Sequence, residues 1–211
     1  MSELGGLVSL IREKSAGTSR CMVAIAGAPG SGKSTLAHNL CGELQRLGES
    51  AIVVQMDGFH FDDAVLNARG HRPRKGAPFT FDAAGFEVIL KRIRVSAPDV
   101  AIPVFDRTME LARAGAAIVE SKTRIVLVEG NYLLLNEIPW NRLKTLFDLT
   151  VFIDVPRGEL QRRLVQRWLD HGFDLEYANN WIASNDLLNI DTVISASASA
   201  DFVMKQEPAR L

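Results

Sequence analysis

An α/β fold, a parallel sheet covered by helices on both faces, is what this sequence predicts, and three observations predict it. Short apolar runs alternate with segments of helical periodicity along the chain. The first well-formed apolar run feeds directly into a glycine-rich turn and then into a helical pattern. No repeat, low-complexity linker or block of like charge divides the 211 residues, so one domain over 1–211 is expected.

Taken in order, Leu4, Leu7, Val8 and Ile11 have the spacing of an amphipathic helix rather than the basic-then-apolar order of an export signal. Strands are expected at Met22–Ala26, Ala51–Met56, Ala101–Phe105, Arg124–Val128 and Thr150–Val155, with a weaker one at Asp201–Met204. Helical patterns lie between them at Ser34–Leu47, Ala83–Val95, Pro156–His171 and Leu175–Ser184. Parallel strands of this kind are buried on both faces, which suits the run of Val and Ile in each. Ligands on such sheets collect at the carboxyl ends of the strands, so residues just after each strand are the first candidates for function.

The turn after the first strand reads Gly27, Ala28, Pro29, Gly30, Ser31, Gly32, Lys33, Ser34, Thr35, which satisfies the pattern G-x-x-x-x-G-K-[ST]. Placed between a strand and a helix, its amides point into one concavity at the positive end of the helix and hold a phosphate chain. Glycines are needed there because a Cβ would obstruct the turn and the ligand. Lys33 would reach the β- and γ-phosphates and the Ser34 hydroxyl would ligate Mg²⁺. Two further strand ends carry carboxylates: AIVVQM ends in Asp57, followed by Gly58, Phe59 and His60, and RIVLV ends in Glu129. Both would face the phosphates, where Mg²⁺ and the proton of an attacking hydroxyl need oxygen acceptors; either could instead cap the following helix. A base-recognition N-K-x-D sequence, expected in a hydrolytic switch, does not occur.

Phosphoryl transfer also needs cations. After Pro156, Leu160, Leu164 and Trp168 share one face of a helix, leaving Arg162, Arg163 and Arg167 off it, either closing as a lid or solvated. The segment with Arg69, His71, Arg72, Arg74 and Lys75 is the one basic patch, in a loop that either binds an acceptor or sits in solvent. With 24 basic against 25 acidic residues the chain offers no field for nucleic acid, and no apolar run is long enough to span a bilayer. Cys21 and Cys41 are expected as reduced, buried thiols. Cytoplasmic localisation follows as an expectation.

Six stretches together resemble the P-loop kinase superfamily of uridine kinase, phosphoribulokinase and bacterial pantothenate kinase: GAPGSGKS, MDGFHFDD (56–63), TFDAAGFE (80–87), IPVFDR (102–107), VEGNYLLL (128–135) and DVPRGELQRRLVQR (154–167). They span most of the chain in order. Within that group the sequence is similar to compact bacterial proteins described as fructose transport system kinases. The resemblance implies the three-layer P-loop NTPase fold with a small lid over about 156–185. It implies that Asp57 is the base for the acceptor hydroxyl, that Glu129 helps to hold Mg²⁺, and that Asp82 binds sugar hydroxyls, unless Asp82 simply caps the helix from Ala83. His60, Asp106, Arg107 and Arg74 join the acceptor side. Asn185, Asp186 and Asn189 fall in a late segment where relatives contact the adenine.

The departures are informative. Phe105 stands where uridine kinases place a tyrosine, Glu110 where they place a histidine, and His171, Gly172, Phe173, Asp174 and Leu175 replace R-G-R-D-L. Groups that recognise uracil are thereby removed while the ATP machinery is kept. The expectation is therefore an ATP- and Mg²⁺-dependent phosphotransferase acting on a hydroxyl of a small metabolite, a sugar such as fructose. A nucleoside or pantothenate-like kinase is the nearer alternative, and a P-loop ATPase regulating a transport system the more distant one. A homodimer is left open.

Overall fold

The computed structural model describes residues 3–95 and 98–206. Its centre is a five-stranded, wholly parallel sheet of β1 (Cys21–Gly27), β2 (Ala51–Gln55), β5 (Ile125–Gly130), β6 (Leu149–Asp154) and β7 (Phe202–Lys205), in the order β2-β5-β1-β6-β7. The two strands with neighbours on both sides nearest the centre, β1 and β5, are buried from end to end, as their unbroken apolar sequences require. The parallel sheet and flanking helices are those expected from the alternation of patterns.

Helices cover both faces through stripes at intervals of three and four. In α1 (Glu3–Ser15) the buried residues include Leu7, Val8 and Ile11; in α2 (Lys33–Arg46) they include Leu36, Leu40 and Leu44. Each such fully buried side chain contributes about 1.5–3 kcal/mol relative to exposure. The short α3 (Asp63–Ala68) and α4 (Ala83–Arg94) follow β2, and α4 buries Phe86, Leu90 and Ile93. Later in the chain come α5 (Arg157–Asp170), α6 (Leu175–Trp181) and α7 (Leu187–Ala196), with a π-type turn at Ile182–Asp186 between the last two. Cys21 and Cys41 are buried free thiols.

One expected strand belongs elsewhere. Residues around Ala101–Phe105 form β3 (Val100–Asp106), which stays outside the parallel sheet and pairs antiparallel with β4 (Leu111–Val119), a strand absent from the expectations. The hairpin therefore stands beside the sheet and packs on the turn at Met56–Phe59; a Cβ on Gly58 would lie 2.5 Å from the Pro103 carbonyl oxygen. The helix read as ending near Ser184 also runs on, because nothing between 182 and 196 breaks it. Among the described residues no helix is long and apolar enough to cross a membrane.

Candidate active site

The carboxyl ends of β1, β2 and β5 meet because of their register: Gln55 lies opposite Glu129, and Ala26 opposite Gly130. A cleft of about 930 Å³ opens above them. On its floor the turn from Gly27 to Thr35 enters α2 with Gly30 at φ 82° and Gly32 at φ 86°, a left-handed backbone that side chains with a Cβ rarely adopt. Pro29, Gly30, Gly32, Lys33, Ser34 and Thr35 line the cleft, while Ala28 and Ser31 are buried beneath it. Lys33 curls over this turn, its Nζ donating to the Ala28 carbonyl at 2.9 Å and lying 3.4 Å from Ser31 Oγ. Burial pushes its pKa down to about 8, with Glu129 and Asp57 pulling it back up. A lysine so poorly solvated gains most from an anion laid beside it.

Glu129 accepts from Ser34 Oγ at 3.0 Å and Gln55 Nε2 at 3.1 Å, both on Oε1. Burial, and then the nearby Asp57 carboxylate, push its pKa up, restrained by Lys33, Ser34 and Gln55. Hydroxyl and carboxylate oxygens side by side fit Mg²⁺, which takes one or two protein oxygens and fills its shell with phosphate and water. Among the described residues no group of three or more His, Cys, Asp or Glu could cage a metal, so phosphate oxygens would have to complete such a shell.

Asp57 sits in the turn after β2, lines the cleft and receives Arg107 at 3.1 Å on Oδ2. Behind it His60 binds the Asp57 carbonyl through Nδ1 at 2.9 Å, and its ring packs against Phe81 and Phe105 at 3.9 and 5.1 Å between centroids. Burial lowers the His60 pKa, so the ring is a neutral wall.

Across the cleft stands α5. Arg167 lines it and its side chain has no hydrogen bond or ion pair among the described residues, yet it acts electrostatically on both Lys33 and Asp186. Arg163 also lines it but is held by Glu159 at 2.7 Å and by Gln206 at 2.9 Å. Arg162 lies outside the lining, bound twice to Glu159 at 2.8 Å. The two arginines pull the Glu159 carboxyl down to about 2.

Three expected acceptor residues are also directed elsewhere. Asp82 caps α4, accepting from Gly85 N at 2.8 Å. Asp106 accepts from the amides of Thr108 and Met109 and pairs with Arg113 inside the hairpin. Arg74 donates to Asn185 Oδ1 and Asn189 Oδ1, each at 3.1 Å. That contact ties the late segment, placed beside the adenine by sequence resemblance, to the loop around Lys75, whose carbonyl accepts from Asn185 Nδ2 at 2.8 Å. Gln55, Glu110 and the aromatic residues of α5 and α6 were not among the expected site residues, whereas Lys75, one of the basic loop residues weighed as an acceptor contact, does line the cleft; Gln55 faced the right way by strand register alone.

A phosphate-holding loop at the head of a parallel sheet, with acid and base groups converging above it, defines a P-loop kinase. Residues 22–209 match the Phosphoribulokinase / Uridine kinase family, and the chain belongs to that family; it is an ATP-dependent kinase. Its structure superposes, at a TM-score of 0.88, on the crystal structure of a "putative fructose transport system kinase" from Silicibacter sp. TM1040, with 41% identity over 96% of this chain and 99% of that one. A "putative uridine kinase" of Schizosaccharomyces pombe is 32% identical over 89% of this chain and 83% of its own length. A pantothenate kinase of Myxococcus xanthus is 30% identical over 70% of this chain and 49% of its own.

Proposed function

We propose that this kinase transfers the γ-phosphoryl group of ATP, with Mg²⁺, to a hydroxyl of a small sugar. The observation that carries the reading is the position of Asp57: a carboxylate in the cleft wall, close enough to act on both buried Lys33 and Glu129 and held there by Arg107. Lys33 and the loop amides would hold the phosphates, while Ser34 and Glu129 would hold the magnesium ion, which supplies charge neutralisation between the phosphate oxygens. Asp57 would orient the acceptor hydroxyl and take its proton. Arg167 would meet the charge spreading over the equatorial oxygens. Most of the rate then comes from alignment and electrostatics in a closed site.

The name of the Silicibacter protein supports a sugar, and Phe105 and Glu110, standing where uridine kinases place groups that read uracil, count against a nucleoside. A panel of sugars, nucleosides and pantothenate, with ADP release as readout, tests the acceptor. In the best case found, Asp57→Asn should lower kcat by about 10²–10⁴, the usual worth of a positioned base, with nucleotide affinity kept. Turnover within about twofold of wild type would remove Asp57 from this role.

A further inference from the structure

Between residues 72 and 75 every cation of the basic loop is held by the protein itself. Arg72 pairs with Asp63 at 2.6 Å, and Lys75, only 9% exposed, pairs with Asp63 at 2.8 Å and with Glu110 at 3.2 Å. Arg74 spreads its guanidinium over the π-type turn and the start of α7, with Nε on Asn185 Oδ1 and Nη2 on Asn189 Oδ1, both at 3.1 Å. The two asparagines lie four residues apart and are each 2% exposed. Asn185 also answers with its other end, its Nδ2 donating to the Lys75 carbonyl at 2.8 Å. The next residue is fixed as well. Gly76 turns at φ 100°, a backbone that favours glycine; its carbonyl accepts from the buried Tyr132 hydroxyl at 2.6 Å and its amide donates to Thr80 Oγ1 at 3.0 Å.

Residues 74–76 are therefore gripped by buried polar groups from two distant parts of the chain, and breaking any one contact would strand a group away from water. What this segment holds out into the cleft is the Lys75 ammonium. Besides the Glu110 carboxylate, the ammonium reaches the Glu110 carbonyl at 3.1 Å, where the hairpin tip bends through φ 55°. Three residues earlier on the same tip, Arg107 meets Asp57 Oδ2 at 3.1 Å. The Arg107 side chain is 66% exposed, and an exposed pair contributes too little to fix its own geometry, so the placing of Arg107 has to come from whatever anchors the tip.

We propose that Arg74 and Asn185 are positioning residues: they seat Lys75, Lys75 holds the hairpin tip, and the tip sets Arg107 against the Asp57 carboxylate. This rests on the kinase reading above, in which Asp57 serves the acceptor, and adds to it the brace that keeps that side of the cleft in register. The brace acts through contacts of protein with protein rather than with substrate. A tip free to shift by about 1 Å would cost roughly tenfold to a hundredfold in rate, the usual effect of such a misplacement.

Two variants test the brace: Arg74→Leu, which removes the fork, and Glu110→Gln, which removes one charge at its exposed far end. In Arg74→Leu the amides of residues 105–112 should exchange with deuterium about tenfold faster, while those of α2 stay within twofold of wild type. With the compound of highest kcat/KM in the acceptor panel, kcat/KM for that compound should fall about tenfold to a hundredfold while KM for Mg²⁺-ATP stays within twofold. Glu110→Gln should show smaller losses of the same kind, and the double variant should lose less than the product of the two single losses, because sites that act independently would multiply. A lower melting temperature with unchanged exchange at the tip, equal losses for acceptor and ATP, or multiplied losses in the double variant would each overturn the inference. If Arg74→Leu does not fold, Glu110→Gln decides alone, and wild-type exchange at the tip with an unchanged acceptor kcat/KM would overturn it. Failure of wild type to consume ATP with any compound of the panel would strike the kinase reading instead, and the exchange measurement would still decide whether the brace holds the tip.

Discussion

The amino ends of the strands and their carboxyl ends use their charged groups in opposite ways. At the amino end Arg20 is buried and donates to the carbonyls of Ile93, Glu120, Ser121 and Thr123, and Asp148 joins Arg94 to the amide of Met22. Those groups consume one another. At the carboxyl end Lys33 is held on a single good carbonyl bond and Glu129 is buried beside Asp57. Polar groups left apart in a cleft are a cost to folding that a ligand can offset, so the contrast separates what stabilises this chain from what works in it.

Mutations can sharpen that contrast. The largest effect on stability is expected at the amino end: Arg20→Met strands four carbonyls and should lower unfolding free energy by about 3 kcal/mol while kcat of the folded enzyme stays the same. Denaturant melts beside initial rates check it, and lost activity without lost stability would break the comparison. At the carboxyl end Arg167→Ala should lower kcat about tenfold to a hundredfold, roughly 1.4–2.7 kcal/mol of transition-state stabilisation, with Arg162→Ala nearly silent. Equal effects of the two would mean that the outward placement of Arg162 is irrelevant to catalysis.

The smallest effect has the most telling sign. A carboxyl whose pKa is raised by folding binds protons more readily in the native state, so stability falls as pH climbs from the ordinary carboxylate range through the raised value. Glu129→Gln removes that loss. Without ligand the variant should be more stable than wild type at neutral pH and no different at pH 3. Protection of the melt by Mg²⁺-ATP should shrink in the same variant, and an unliganded Gln variant less stable than wild type at pH 7 would contradict the assignment.

The phosphate loop was legible because its geometry is local: a strand, four defining residues and a helix start lie within about fifteen positions. The hairpin was not. Its tip, Arg107 to Glu110, carries no glycine or asparagine, and Glu110 itself takes the φ of 55° that those residues usually supply; β4 is largely alanine and glycine, poor strand formers. Asp82 was readable both as cap and as ligand, and only its bond to Gly85 in the fold shows the cap. The burial of Asn185 and Asn189 depends on partners more than a hundred residues away in the Arg74–Lys75 loop, a relation no spacing rule contains.

Calorimetric titration of Mg²⁺-bound, non-hydrolysable ATP analogue into wild type and Lys33→Met tests the centre of the account. Saturable one-to-one binding that Lys33→Met weakens by tenfold or more is the predicted result, in line with a charge-assisted contact to phosphate. Heat indistinguishable from buffer dilution in wild type, or equal affinity in the two proteins, would contradict it.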